Sequence, residues 1–281
     1  MKILVTGGSG MLGRTLCSEL REFDMRPLSH GMCDVTDSGN VEELLVKEKP
    51  AVVIHCAAMT AVDLCETERE KAFRINAGGS GTVAAACARH KVRLIAISTD
   101  YVFDGTLDRP YTEFDKADGG RTVYGQSKFA GEEAVRRFAP DHLICRVSWL
   151  YGAGGPSFVH TMLKLADGSR PELKVVADQI GNPTSALSVA RELRYLLKAP
   201  ELRGTFHMTC EGEASWAEFA AEIFRLNGIN QRIAPCTSSE FPRPAPRPAN
   251  SRLAKLRLRL EGLPPMPPWQ EALAEFINSE F

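Results

Sequence analysis

No stretch of the 281 residues holds the roughly 18 consecutive apolar side chains that a membrane span requires. The opening run Met1-Lys2-Ile3-Leu4-Val5 gives way at once to Thr6-Gly7-Gly8, too short for the apolar region of a secretory signal. The expected place of work is the cytoplasm, with no membrane partner. Charge of one sign is also lacking. Lys and Arg number 34 against 35 Asp and Glu, a net charge of −1, which excludes a surface built to coat nucleic acid. Cys-x-x-Cys pairs are missing. The eight cysteines are scattered, several inside apolar runs such as Ile54-His55-Cys56-Ala57, and read as reduced core residues. The six histidines show no zinc-ligand spacing, so no metal is expected. Repeats and low-complexity tracts are absent too. A hydrophobic share of 44% and a charged share of 25% exclude intrinsic disorder.

What is present is alternation. Short apolar runs at Ile3-Leu4-Val5, Ala51-Val52-Val53-Ile54, 92–97 and 142–147 read as strands buried on both faces. Helical stretches lie between them, at 11–20, 41–46, about 68–89 and 125–138. Such alternation predicts βαβ units and a parallel sheet in an α/β fold. The second half is less regular. Helices are predicted over 157–166 and 185–197, with a short strand at 205–209. A capping-box pattern, Ser215 then Glu218, opens a helix to about Leu226. Phe241 to Pro248 reads FPRPAPRP, and four prolines in eight residues predict an extended loop.

Three signals carry chemistry. Gly7-Gly8-Ser9-Gly10-Met11-Leu12-Gly13 follows the first strand with spacing G-x-x-G-x-x-G. Glycines let the turn tighten and let the backbone approach a diphosphate, which the next helix N-terminus attracts. A dinucleotide site is therefore expected, with Gly7, Gly10, Met11, Leu12 and Gly13 along the cofactor. The acid that holds the ribose hydroxyls of NAD is missing where the second strand ends, at Pro27-Leu28-Ser29-His30-Gly31. Its absence, with Arg26 and His30 nearby, favours NADPH, NADH remaining an option; Asp34 is placed for the adenine. Second, Tyr124 and Lys128 lie four apart on a predicted helix, hence on one face, and a neighbouring ammonium favours phenolate. Third, Ser98-Thr99-Asp100 closes a buried strand, the end at which open α/β sheets collect ligands.

The set of glycine loop, Thr99 and Tyr124-x-x-x-Lys128 resembles the extended short-chain dehydrogenases/reductases. Longer blocks resemble the dTDP-4-dehydrorhamnose reductase family: Ala57 to Asp63, Ser98-Thr99-Asp100-Tyr101-Val102-Phe103-Asp104-Gly105, Tyr124 to Glu132, Arg146 to Tyr151, Asp178-Gln179-Ile180-Gly181-Asn182-Pro183-Thr184 and Arg247 to Leu253. The resemblance implies a doubly wound Rossmann domain over 1–150, joined by about 183–209, with a smaller interleaved substrate-binding part mainly in 151–281. It implies reduction of the C4 ketone of dTDP-6-deoxy-L-lyxo-4-hexulose to dTDP-L-rhamnose. The implied roles are as follows. Ala57, Ala58, Met59 and Thr60 line the cofactor. Thr99, Asp100, Tyr101, Val102, Trp149 and Arg252 meet the sugar nucleotide. Tyr124 gives the proton, while Lys128 lowers its pKa and holds the nicotinamide ribose. A homodimer is compatible with the resemblance. The family often has His where this chain has Met59. Two alternatives stay open: a non-catalytic regulator like the regulatory subunit of methionine adenosyltransferase, and a reductase or epimerase of another nucleotide sugar.

Overall fold

Strands buried on both faces need helices on both faces, and the chain supplies them in order. The computed structural model describes residues 1–280. The first half runs β1 (Lys2–Thr6), α1 (Met11–Glu19), β2 (Asp24–Leu28), α2 (Ser38–Glu48), β3 (Val52–His55), α3 (Val62–Thr67), α4 (Arg69–Phe73), a π-helical segment (Arg74–Gly79), α5 (Ser80–His90), β4 (Arg93–Thr99), α6 (Val123–Phe138) and β5 (His142–Val147). Then come β6 (Leu150–Tyr151), α7 (Phe158–Leu165), β7 (Glu172–Val176), β8 (Ile180–Gly181), β9 (Thr184–Ser185), α8 (Ala186–Lys198), β10 (Gly204–His207), β11 (Ala214–Ser215), α9 (Trp216–Leu226), β12 (Arg232–Cys236), α10 (Leu256–Leu260) and α11 (Trp269–Glu280).

Six strands form one parallel sheet in the order β10-β5-β4-β3-β1-β2. Side chains alternate across it. Ile3 and Val5 of β1 pack with Leu12 and Leu16 of α1 and Val189 and Leu193 of α8. Leu4, between them, packs on the opposite face with Val41 and Leu45 of α2 and Val83 of α5. The sheet is thus the parallel sheet that the alternation predicts, doubly wound in the Rossmann manner as the resemblance implies. Its strand order reverses at β1, which lies between β2 and β3. That switch point opens a crevice at the carboxyl ends of β1 and β3.

The continuous helix expected over 68–89 is interrupted: α3 and α4 lead into the π segment, and only then α5 begins. The widened turn brings Asn76 inward. Its side chain spans from the Met59 backbone, at 2.8 Å to N and 3.1 Å to O, to Ser127 Oγ of α6 at 2.9 Å. The predicted capping box is formed, with Ser215 and Glu218 bonding each other's backbone. Two features lie outside the sequence reading. β7 and β12 pair in parallel, Glu172 beside Arg232, and α11 buries Trp269, Ala272, Leu273, Phe276 and Ile277. All eight cysteines are free. Among the described residues no helix is long and apolar enough to cross a membrane.

Candidate active site

The glycine loop sits where only glycine fits. Gly7 has φ +67°, and a Cβ there would lie 2.7 Å from the Ala57 nitrogen. A Cβ on Gly13 would lie 2.5 Å from the Gly7 carbonyl oxygen. The loop is therefore pressed onto the segment that follows β3. Gly10 caps α1 without a side-chain bond, and the first turn of α1 holds no acid. Its first N–H groups face the crevice with the positive end of the helix dipole. Leu12 turns its side chain into the core, so only its backbone is offered to a ligand. Across the crevice Ala57 and Ala58 are half-buried, Met59 is buried and Thr60 is exposed. This Cβ-free cradle fits a dinucleotide diphosphate.

Behind the crevice runs a polar ladder. Thr6 Oγ1 and His55 Nδ1 are 2.7 Å apart, His55 Nε2 is 3.2 Å from Ser80 Oγ, and Ser80 donates to the Asn76 carbonyl at 2.6 Å. Because Ser80 spends its proton on Asn76, the network assigns the His55 proton to Nε2 and makes Nδ1 the acceptor from Thr6. Burial, helped by the Lys128 charge, depresses the His55 pKa to about 3. An unfolded histidine titrates near 6.5, so between these values the unfolded chain holds a proton that the folded chain refuses. Stability from this site is complete above the unfolded value and is lost as pH falls towards the folded one. His207, also pushed down to about 3 by burial, acts in the same window. Urea unfolding at about pH 7 and about pH 5 should therefore show a wild-type midpoint more sensitive to acid than that of His55→Gln, the buried carboxyls of Asp100 and Glu192, pushed up to about 6 and about 7, pulling the other way in both. An identical pH response in the two proteins would contradict the assignment.

Tyr124 lies in the first turn of α6, which Thr122 caps by accepting from Gly125 N at 2.9 Å. Lys128 follows one turn on, and Thr99 ends β4. The structure brings all three to the carboxyl end of β4: Lys128 Nζ donates to the Ile97 carbonyl of β4 at 2.7 Å, and the Thr99 hydroxyl acts on the Tyr124 phenol. The electrostatics differ from the expectation that Lys128 draws the phenol down. Burial pushes the Tyr124 pKa up, the Thr99 hydroxyl opposes it, and the Asp100 charge adds to it. The phenol is thus held as an acid. Burial lowers Lys128 to about 8, with Glu132 pulling it back up. Glu132, one turn further along α6, is itself buried. Burial opposes its charge, but Arg146 at 2.7 and 2.8 Å, Arg136 at 2.8 Å and Ser98 at 2.6 Å outweigh burial and hold it ionised.

Beyond the strand ends lies a cavity of about 720 Å³, walled by Tyr101, Trp149, Trp216, Arg243, Arg247 and Ser251. Trp149 has φ +48° and stacks on Trp216, centroids 3.4 Å apart and planes at 4°. A Cβ on Gly181 would strike the Trp149 indole at 2.4 Å, which accounts for the glycine within Asp178 to Thr184. That block and the 247–253 block scaffold each other: Ile180 N donates to Ala249 O at 2.8 Å, and Ser251 N to Ile180 O at 2.7 Å. The proline loop holds neither helix nor strand, bends at Pro244 and Ala245, and is latched. Arg247 forms a two-pronged pair with Asp63 of α3, both contacts at 2.9 Å.

Four expected ligand residues are placed otherwise. Arg252 does not line the cavity; its guanidinium is held by Asn250 Oδ1 at 2.9 Å and the Asp108 carbonyl at 2.6 Å. Val102 is fully buried with Phe103, Tyr111 and Leu253. Asp100 is turned inward onto Thr99 and Ser148. The Asp34 carboxylate accepts from Thr36 N and Oγ1, at 2.9 and 2.8 Å, and so closes its own turn. Sequence reasoning missed Asn76, Trp216 and Arg247. The last was visible as a basic residue between prolines.

A switch-point crevice that takes a dinucleotide, with an acidic phenol and an amine facing it from the next helix, defines an NAD(P)-dependent oxidoreductase of the extended short-chain type. Over residues 1–281 the sequence matches the family described as RmlD substrate binding domain. The dTDP-4-dehydrorhamnose reductase of Streptomyces griseus is 43% identical over 281 residues, covering 97% of this chain and 91% of that protein. A solved dTDP-4-dehydrorhamnose reductase from Clostridium acetobutylicum matches with TM-score 0.96 at 43% identity, covering 99% of each chain. That of Bacillus anthracis, solved in complex with NADP, matches with TM-score 0.95 at 38% identity, again over 99% of each chain. The chain belongs to the dTDP-4-dehydrorhamnose reductase family.

Proposed function

We propose that this protein reduces the C4 ketone of dTDP-6-deoxy-L-lyxo-4-hexulose to dTDP-L-rhamnose, preferring NADPH and accepting NADH. The observation that supports the reading is the buried phenol of Tyr124, kept in its acid form by burial and packed edge-on against Tyr101 of the cavity wall. Residues 1–150, with about 183–209, hold the cofactor, and the rest of 151–281 covers the sugar nucleotide. The backbone of Gly7, Gly10, Met11, Leu12 and Gly13 meets the diphosphate, and Ala57 to Thr60 form the opposite wall. When bound, the nicotinamide supplies a hydride. Tyr124 gives its proton to the ketone oxygen as negative charge develops there. Lys128, a cation at neutral pH, stabilises the phenolate left behind. Trp149 and Tyr101 contact the substrate from the cavity wall. A carboxylate-free end of β2 at Leu28 and Ser29 spares an NADPH phosphate from repulsion. The substrate is a diffusible sugar nucleotide, in keeping with work in the cytoplasm.

The test is isotopic. Deuterium from labelled NADPH should appear at C4 of the deoxysugar. Label in water alone, or no product, would overturn the reading.

Arg247 and Arg243 are the guanidinium groups in the cavity wall, and Asp63 already holds Arg247, which leaves Arg243 to meet a substrate diphosphate. A charged hydrogen bond is worth about 1.5–3 kcal/mol. Arg243→Ala should therefore raise KM for the sugar nucleotide by about tenfold or more, with a smaller change in kcat. A KM within about twofold of wild type would remove Arg243 from diphosphate recognition.

A further inference from the structure

From Pro242 to Pro248 every second residue is proline, so only Arg243, Ala245 and Arg247 offer backbone N–H groups there. Among the described residues, every hydrogen bond that leaves this stretch ends on one side chain, Asp63 of α3. Asp63 Oδ1 accepts from Ala245 N at 3.2 Å and from Arg247 Nη1 at 2.9 Å, and Oδ2 accepts from Arg247 Nη2 at 2.9 Å. Arg247 Nη1 also donates to the Ala245 carbonyl at 2.8 Å. Ala245 is fully buried, whereas Arg243, two residues before it, is exposed and lines the cavity. No described residue hydrogen-bonds or ion-pairs with the Arg243 guanidinium.

Asp63 is itself firmly seated. Its helix begins at Val62, just past the cofactor wall that ends at Thr60. Glu66, three residues on and so on the same face of α3, accepts from Val123 N of α6 at 2.9 Å. Cys65 is buried with Met59, Val123 and Tyr124. Burial opposes the Asp63 charge, but the Arg247 and Ala245 bonds outweigh it and hold the carboxyl below its ordinary range. One short helix thus grips the helix of Tyr124 with Glu66 and the proline loop with Asp63.

We propose that Asp63 is a positioning residue for the substrate: by anchoring Ala245 and Arg247 it holds the proline loop as a wall of the cavity and keeps Arg243 within reach of the sugar nucleotide's diphosphate. The inference rests on the sugar-nucleotide reading of that cavity. Asp63 does not line the cavity and acts through the loop. Proline fixes φ, so the stretch is a stiff arm rather than a coil, and a hold at Ala245 sets the place of Arg243. An arm that is released leaves Arg243 in position for only part of the time. Apparent affinity then falls in proportion to that fraction.

The test is calorimetric titration of dTDP into the NADPH-bound protein, for wild type, Asp63→Ala, Arg243→Ala and the double variant. Asp63→Ala should weaken dTDP binding about tenfold, while NADPH affinity stays within about twofold of wild type. With Arg243→Ala already in place, Asp63→Ala should cost less than about twofold more, because the side chain it positions is gone. If Asp63→Ala does not fold, Asp63→Asn, which removes the charge and one acceptor, should show the same dependence on Arg243. Unchanged dTDP affinity, penalties that add in full, or an equal loss of NADPH affinity would overturn the proposal, as would a wild type that binds no dTDP. The expected dTDP pattern in a protein that never oxidises NADPH with the dTDP-hexulose would support the latch and overturn the reductase reading.

Discussion

Replacing Tyr124 by Phe should lower kcat by about 10²–10⁴-fold, the range a positioned general acid supplies. Phe preserves the edge contact with the Tyr101 ring, now 5.5 Å between centroids at 71°, and removes only the phenolic oxygen. Thr99, the hydroxyl that acts on it, keeps Asp100 as its acceptor at 2.8 Å, so no buried donor is left stranded. The fold should survive and NADPH affinity, read by fluorescence titration, should be nearly intact. A loss of kcat below about tenfold would take the proton-donor role away from Tyr124.

Glu132→Ala should cost about 3–5 kcal/mol of folding stability, the usual penalty for stranding one partner of a buried ion pair. Arg146 and Glu132 have side chains only 3% and 2% exposed. Without the carboxylate, the Arg146 guanidinium faces the Phe103 ring at 4.9 Å and a His207 that burial and Arg146 itself keep neutral. Ser98 loses its acceptor as well. Lys128 loses the charge that holds its pKa up, so its protonated fraction at neutral pH should fall. Urea unfolding measures the first effect, and the basic limb of the kcat profile measures the second. A stability loss below about 1 kcal/mol would mean that the pair is not the keystone of α6 and β5.

Much of this was legible because the Rossmann half is locally coded. Continuous apolar runs become buried strands whatever surrounds them, and β5 falls on 142–147 as its residues predict. Gly7 and Gly13 are legible because the backbone there tolerates no Cβ. The break between α4 and α5 was not, since Asn76 is drawn inward by backbone and side-chain partners 17 and 51 residues away in sequence. β7 and β12 share no local signal that they pair with each other. Arg252 misled for a related reason. Its type suited a diphosphate, but Asn250 and the Asp108 carbonyl claim it, and Arg243, nine residues earlier, lines the cavity instead. Motif spacing names the chemistry; which side chain of a block points into the site is decided by contacts made elsewhere in the chain.

The most direct measurement is NADPH oxidation followed spectrophotometrically with dTDP-6-deoxy-L-lyxo-4-hexulose as substrate, Tyr124→Phe alongside. The account predicts oxidation that depends on the sugar nucleotide, forms dTDP-L-rhamnose and nearly disappears in the variant. Bound NADPH that is never oxidised in the presence of that substrate would contradict it.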